Sequence, residues 1–157
     1  MSKKEDGESF MAKDIRDMRS LRRSGVLAWL RLARVFEKTE RAGEAQLRAW
    51  GLNMGQFDAL AHIGAAEGLS QGELARSLLV TKGNVTQLLA KMEMRGLIER
   101  RSEGRTKRLF LTGEGRTLYD EVVPAHEEFI AGRLDALDED QRKTLHELLR
   151  KLDRDIE

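Results

Sequence analysis

Three helix-start signals of one kind divide this chain into short helical segments. In each signal, a residue with a short polar side chain is followed three positions later by Gln or Glu. The three pairs are Asn53 with Gln56, Ser70 with Glu73, and Asp138 with Gln141. The two side chains of such a capping box bond each other's backbone amides, so the helix begins at a defined residue. Because the first two starts lie only 17 residues apart, short helices are predicted in the middle of the chain.

A further helix is predicted to start at Thr81 and to end at Gly96, and its two faces differ in polarity. Its apolar side chains recur at positions i, i+3, i+4 and i+7, which is the spacing of one helix face. They are Val85, Leu88, Leu89 and Met92. The opposite face carries Asn84, Gln87 and Lys91. One face is therefore expected to dock on a core, while the other presents amide and amine donors outward.

A pair of short strands is predicted after this helix. Residues 97–102 and 107–112 are predicted to form the strands, and a polar, basic turn separates them at residues 102–106. The second strand places Leu109 and Leu111 on the same face. This pattern indicates a β-hairpin with one face against the core and a basic tip.

Long helices are predicted on both sides of these elements. Residues 25–50 carry apolar side chains on more than one stripe, so this helix, ended by Gly51, is expected to be buried on two sides. Thr112 is predicted to cap a long helix that reaches Leu134 and bends at Pro124. The final helix has a regular apolar seam of Leu145, Leu148, Leu149, Leu152 and Ile156. These flanking helices are expected to pack against a second copy of the chain.

The order of these elements predicts a mainly α-helical fold with a small β-hairpin wing, the winged helix-turn-helix. Two capped helices, a helix with one polar face and a basic hairpin follow one another in residues 52–112, which we predict to form a DNA-binding domain. Residues 24–51 and 113–157 are predicted to form a helical dimerisation region. Residues 1–23, which are rich in charged side chains, are expected to form a partly ordered N-terminal extension.

The net charge of +1 conceals two blocks of opposite sign. Residues 80–108 contain eight basic and three acidic residues, a net charge of +5. Residues 113–157 contain seven basic and thirteen acidic residues, a net charge of −6. A basic surface on the polar helix and the hairpin favours binding of a polyanion. The acidic C-terminal block is expected to keep DNA away from the dimerisation helices.

We predict twelve DNA-binding residues at the start of the second short helix, along the polar helix and in the hairpin. They are Ser70, Gln71, Thr81, Lys82, Gly83, Asn84, Thr86, Gln87, Lys91, Arg105, Lys107 and Arg108. The amides of Asn84 and Gln87 suit adenine edges, the hydroxyls and lysines suit phosphates, and Arg105 at the hairpin tip suits a narrow minor groove. The alternative interpretation is that these side chains are simply the polar surface of a three-helix core.

Catalysis and metal binding are not predicted, because the usual signatures are missing. The chain has no cysteine, and its three histidines are far apart in the sequence. Neither His126 nor His146 is followed by the second histidine of a zinc-protease helix, and no phosphate-binding glycine loop is present. We therefore predict no enzymatic activity, no metal site and no cofactor. A helical protein-interaction module without DNA binding is the alternative function, although such a module would not need the basic block.

The sequence carries no signal for a membrane or for secretion. The N-terminus is charged rather than apolar, so no signal peptide is predicted. No stretch approaches the roughly 18 consecutive apolar residues that a spanning helix needs. A cytoplasmic location is expected.

Four stretches together are similar to one known family. They are residues 69–75 (Leu-Ser-Gln-Gly-Glu-Leu-Ala), 80–86 (Val-Thr-Lys-Gly-Asn-Val-Thr), 95–101 (Arg-Gly-Leu-Ile-Glu-Arg-Arg) and 111–112 (Leu-Thr). With them the chain resembles the multiple antibiotic resistance regulators, the MarR family of bacterial transcription factors. In that family an Asp-x-Arg in the wing precedes Leu-Thr, and here Glu103-Gly104-Arg105 occupies the position. The resemblance implies that Arg105 is kept and that Glu103 braces the wing.

The resemblance also implies how such a protein works. It implies a homodimer that binds double-stranded DNA at a pseudo-palindromic operator and represses transcription. It further implies release by a small aromatic or phenolic effector held between the dimer helices and the winged domain. The candidate effector-binding residues, by family location, are Trp29, Phe36, Phe57, Asp58 and His62. Aromatic and apolar residues at helical spacing are also typical of a protein core, so this set has a purely structural alternative.

Overall fold

The structure is a computed structural model that describes residues 23–78 and 82–156. Its elements follow in the order α1 (Ser24–Leu47), α2 (Met54–Ala65), α3 (Gln71–Ser77), α4 (Lys82–Met94), β1 (Ile98–Glu103), β2 (Thr106–Leu111), α5 (Gly113–Gly132) and α6 (Glu139–Asp155), with a 3-10 turn at Arg48–Trp50. The prediction of a mainly α-helical chain with a hairpin wing is confirmed. The predicted N-terminal extension, apart from its last residue, and the predicted helix cap Thr81 lie outside the described residues.

All three predicted capping boxes are formed. Asn53, Ser70 and Asp138 each accept a hydrogen bond from the backbone amide three residues later, and the Gln or Glu at that position returns the bond. Each box satisfies two backbone donors that would otherwise lack a partner at a helix start. Gly51 ends the segment formed by α1 and the 3-10 turn, as predicted, and it has φ 65°.

The chain divides into two compact units, of which the second begins at Ala42. In the first unit, the described helix residues 24–41 expose most of their apolar side chains. The second unit has a continuous core around α2, which packs against α3, α4, β2 and α5. The fully buried side chains at the centre of this core include Leu60, Ile63, Leu74, Leu89 and Leu109. No described helix is both long enough and apolar enough to cross a membrane.

The hairpin differs from the prediction in the length of its turn. The strands pair from Ile98 with Leu111 to Glu103 with Thr106, so only Gly104 and Arg105 remain between them. The predicted turn of residues 102–106 is therefore wrong. Gly104 has φ 60°, and this left-handed conformation allows a two-residue turn that matches the twist of the strands.

A third segment, which the sequence analysis missed, extends this sheet. The Leu109 carbonyl accepts from Gly68 N at 2.8 Å, and the Leu109 amide donates to Leu69 O at 2.9 Å. Ser70 continues the pairing as an antiparallel bridge with Arg108. The wing is thus tied directly to the residue that caps α3.

Helix α5 ends earlier than predicted. Thr112 caps it as expected, accepting from Gly115 N at 3.0 Å. The helix stops at Gly132, however, and Leu134 lies in the following turn, where its amide donates to Ala131 O at 3.0 Å. Glycine has a low helix propensity, and the helix ends there. Pro124 lies inside the helix, as predicted.

The start of α5 packs closely against Leu97, the residue before the hairpin. Leu97 accepts from Thr112 N at 3.1 Å, and a methyl group added at Gly115 would overlap the Leu97 carbonyl oxygen. The neighbouring Gly113 has nothing within 4 Å of the same position. Two glycines in one helical turn therefore differ completely in the space around them.

We expect Gly115→Ala to destabilise the fold by about 3 kcal/mol, because backbone would have to move to admit the methyl group. Gly113→Ala is the matched control and should change stability by less than about 1 kcal/mol. Urea unfolding followed by circular dichroism measures both. Equal stabilities for the two variants would contradict the close packing of α5 on Leu97.

The buried imidazole of His126 joins three helices of the second unit. Only 6% of the residue is exposed, and its ring lies 4.3 Å from the Phe57 ring centroid and 5.6 Å from that of Phe129. Nδ1 lies 2.8 Å from Gln46 Oε1, and because an amide oxygen only accepts, Nδ1 is the donor. Burial lowers the pKa of His126, with the charge of Asp58 acting in the opposite direction.

Acidification is expected to destabilise the wild-type fold more than that of His126→Gln. Because the folded-state pKa of His126 is depressed, the unfolded chain takes up this proton first. The stability present above the unfolded-state pKa of about 6.5 is lost as the pH falls toward the folded-state pKa. Urea unfolding at about pH 7.5 and about pH 5.5 tests this difference. A pH dependence that is unchanged in the variant would contradict it.

Candidate nucleic-acid interface

Helix α4 presents the polar face that the sequence predicted. Val85, Leu89 and Met92 are fully buried and Leu88 is partly buried. The polar residues of the outer face, Asn84, Thr86, Gln87 and Lys91, are exposed. Burial of each large apolar side chain contributes about 1.5 to 3 kcal/mol, so the inner face determines which way the helix faces. Lys82 and Gly83 form the first turn of α4.

A side-chain hydrogen bond connects α3 with α4. The Gln71 amide nitrogen donates to Thr86 Oγ1 at 2.7 Å. Both residues were predicted to contact DNA, and the structure brings them together at the junction of the two helices. The bond spans 15 positions in the sequence, and no local pattern indicates it.

The start of α3 is occupied by its own capping box. Ser70 Oγ accepts from Glu73 N at 3.2 Å, and Ser70 N donates to Glu73 Oε2 at 2.6 Å. The bonds from the Ser70 amide and hydroxyl, with smaller effects of Arg108 and Arg76, lower the pKa of Glu73. The Ser70 hydroxyl, which was predicted to contact DNA, is thus already engaged in the cap, and the Ser70 amide is held by a carboxylate.

Arg108 of the wing is held by three groups of the protein. Its Nε donates to Glu103 Oε2 at 2.7 Å, its Nη1 donates to Gly68 O at 3.2 Å, and Nη1 lies 3.8 Å from Glu73 Oε2. Glu103, the acid of the wing motif, therefore contacts a strand residue of the same hairpin. This arrangement links the end of β1 next to the turn with β2, and it directs the Arg108 guanidinium toward Gly68 and the start of α3.

Other basic residues of the block at 80–108 are paired as well. Arg100 bonds to Glu93, and this bond is the main reason that the pKa of Glu93 is lowered and that of Arg100 raised. Arg101 bonds to Glu99 and lies over the Phe110 ring, 4.3 Å from its centroid. These pairs reduce the positive charge that the block presents to a ligand.

Other basic side chains of residues 80–108 are exposed on α4 and the hairpin. Lys91 is exposed on α4, Arg105 is exposed at the hairpin tip, and Lys107 is exposed on β2. Within residues 23–78 and 82–156, none of the three forms an ion pair. The structure therefore concentrates unpaired positive charge on the outer face of α4 and the end of the wing.

One basic residue to which the sequence analysis assigned no role joins two parts of the second unit. Arg95, directly after α4, donates from Nη1 to Gly51 O at 2.8 Å and to Gln56 Oε1 at 3.4 Å, and from Nη2 to Trp50 O at 3.5 Å. The only feature of the sequence that could have indicated this role is the position of Arg95 at a helix end, directly before Gly96. The acceptors lie at the junction of α1 and α2.

The predicted effector residues occupy different environments. Trp29 and Phe36, in the first unit, are 64% and 63% exposed on α1. In the second unit, Phe57 is buried against the His126 ring. The exposed His62 lies one turn from Asp58, and its Nδ1 is 2.8 Å from the Asp58 carbonyl oxygen. Among the described residues, no group of three His, Asp or Glu side chains is arranged to hold a metal ion.

The sequence of this chain is similar to that of known transcriptional regulators. A sequence model of the MarR family matches residues 50–109. The chain is similar to an uncharacterised HTH-type transcriptional regulator of Bacillus cereus, with 33% identity over 129 residues that cover 82% of this chain and 88% of the relative.

Solved structures give the same result for the fold. A MarR-family protein of Mycobacterium tuberculosis, solved in complex with p-aminosalicylic acid, has 31% identity and a TM-score of 0.65, covering 80% of this chain and 97% of that one. The MepR protein of Staphylococcus aureus, solved with DNA, has 22% identity and a TM-score of 0.74, covering 80% and 95%, which is a similarity of fold alone. On this sequence identity and coverage, the chain belongs to the MarR family of transcriptional regulators.

Proposed function

We propose that this regulator is a homodimer that binds a specific pseudo-palindromic site in double-stranded DNA and represses transcription in the cytoplasm. The observation that carries the proposal is the exposed polar face of α4, together with a wing tip whose Arg105 is exposed and forms no ion pair within residues 23–78 and 82–156. A helix of this kind presents amides and hydroxyls to the edges of bases in the major groove. Arg105 at the end of the hairpin suits the adjacent minor groove.

The predicted DNA contacts divide into two classes by their surroundings. Asn84, Gln87, Lys91, Arg105 and Lys107 are exposed, and they remain proposed contacts together with Thr81, Lys82 and Gly83. Thr86 is exposed as well and also remains a proposed contact, with its Oγ1 already accepting from Gln71. Ser70, Gln71 and Arg108 already bond to other protein groups. We propose that Ser70, Gln71 and Arg108 fix the geometry of α3 and the wing. Any contact of these residues with DNA would use donors and acceptors that are not engaged in those bonds.

The proposed dimer uses the apolar residues that the described helices expose. Leu148 and Leu152 of α6 and Ile156 directly after it repeat every four residues. They are 57%, 51% and 75% exposed. An open groove beside them is lined by residues such as Leu137, Leu145 and Leu148. Contiguous apolar surface of this kind favours burial against another chain. A two-fold dimer presents two equal recognition helices to a two-fold DNA site.

A small aromatic or phenolic acid is the proposed effector. Support comes from the M. tuberculosis relative, which is 31% identical and was solved with p-aminosalicylic acid. Trp29, Phe36, Phe57, Asp58 and His62 remain the candidate binding residues. Such a ligand releases DNA only if it binds the DNA-incompetent form more tightly than the competent form.

The proposal is tested by selecting bound sequences from fragments of the source genome and measuring affinity for the selected site. We expect a site with two-fold symmetry, light scattering that gives two chains per protein particle, and affinity that falls steeply between about 50 mM and about 200 mM salt. Addition of aromatic acids should weaken binding. Equal affinity for every duplex would overturn specific recognition, and absence of any duplex binding would favour the protein-interaction module instead.

Substitutions on α4 are expected to separate base contacts from phosphate contacts. Gln87→Ala should cost about 1 to 3 kcal/mol on the selected site and lose discrimination at one base pair. Lys91→Ala, the matched control one turn along the same face, should weaken binding evenly on all sequences and reduce the salt dependence. Competition binding with single-base variants of the site measures both. An even loss for Gln87→Ala would reassign this side chain to the DNA backbone.

A further inference from the structure

The guanidinium of Arg95 lies where the end of the recognition helix meets the end of α1. Its backbone amide still bonds to Lys91 O at 3.1 Å, so the residue continues the last turn of α4. Its side chain reaches 44 positions back in the sequence, to Gly51 O at 2.8 Å, and also to Trp50 O at 3.5 Å. These two carbonyls belong to the turn that ends the first helical segment.

The acceptors of Arg95 are well suited to a guanidinium. The last carbonyl groups of a helix have no partner within the helix and carry partial negative charge, so a cation there is stabilising. Arginine offers five donors in a planar fork and can hold several acceptors at once. Trp50 is the last residue of the 3-10 turn that follows α1, and Gly51 comes directly after it.

The third acceptor connects the same guanidinium to the start of α2. Gln56 Oε1 accepts from Arg95 Nη1 at 3.4 Å and also from Asn53 N at 3.2 Å, as part of the α2 capping box. Gln56 is buried, so this oxygen cannot easily exchange its partners for water. One side chain therefore joins the end of α4 to both sides of the turn between α1 and α2.

We infer that Arg95 is a positioning residue that fixes the end of recognition helix α4 to the end of α1 and thereby sets the separation of the two recognition helices in the dimer. The inference rests on the proposed function, in which α4 enters the major groove, and on the prediction that residues 24–51 belong to the dimerisation region. The two half-sites of such a site lie about one helical turn of DNA apart. A recognition helix anchored at its end tolerates little change in this separation.

The test compares three duplexes: the site selected by the wild-type protein, and the same site with one base pair inserted or deleted at its centre. Arg95→Met keeps an unbranched apolar stem and removes the donors of the guanidinium. We expect the wild-type protein to bind both altered duplexes at least about tenfold more weakly than the selected site. In Arg95→Met, affinity for the selected site should fall by about tenfold, and the penalty for altered spacing should shrink to less than about threefold.

Arg116→Met is the matched control. Arg116 also directs a guanidinium to a carbonyl near a helix end, with Nη1 3.5 Å from Gly64 O and Nη2 2.6 Å from Glu67 Oε1. It lies on α5 and makes no described bond to α4. We expect this variant to be less stable in urea unfolding but to keep the full wild-type penalty for altered spacing.

The inference is overturned if Arg95→Met binds all three duplexes with the same relative affinities as the wild-type protein. If Arg95→Met does not fold, Arg95→Lys gives the same readout, because lysine keeps the charge but lacks the planar fork of five donors that reaches separated acceptors. Its spacing penalty should again be smaller than in the wild-type protein, and an unchanged penalty overturns the inference. A wild-type protein that binds no duplex specifically overturns the proposed function itself, which distinguishes the two failures.

Discussion

The packing of the apolar face of α4 on α2 is the interaction on which the rest of the second unit depends. Val85, Leu89 and Met92 are fully buried in the same core as Leu60 and Ile63 of α2. With about 1.5 to 3 kcal/mol for each buried side chain, this contact determines the rotation of α4 about its own axis. The polar face points outward as a consequence, and the proposed function rests on this outward direction of the polar face.

Charge pairing converts a basic stretch of sequence into a directed surface. The acids at positions 93, 99 and 103 each hold one arginine of the hairpin region, which reduces the cost of crowding like charges on two short strands. Lys91, Arg105 and Lys107 are left without such partners among the described residues and lie at the outer edge. A net charge of +5 describes residues 80–108 as a stretch of sequence. These three side chains are the exposed charges of that stretch to which the proposed function assigns contact with DNA.

Elements governed by neighbouring residues were predictable from the sequence. The three capping boxes, the Thr112 cap, the end at Gly51 and the two faces of α4 all depend on side chains within about one helical turn of each other. Two predictions were wrong. The turn at Gly104 and Arg105 is shorter than predicted. Helix α5 ends at Gly132, before Leu134. Both errors concern boundaries rather than the existence of an element.

The sequence by itself determined where the helices begin, which side of α4 is polar, and that positive charge gathers at residues 80–108, because these properties follow from local spacing and composition. Only the tertiary structure decided which of the predicted contacts are already used. The bonds from Gln71 to Thr86, from Arg108 to Glu103 and Gly68, and from Arg95 to the turn before α2 are made after the elements have packed. Most of these bonds join residues far apart in the chain, and such pairings depend on the packing of whole elements rather than on any short pattern.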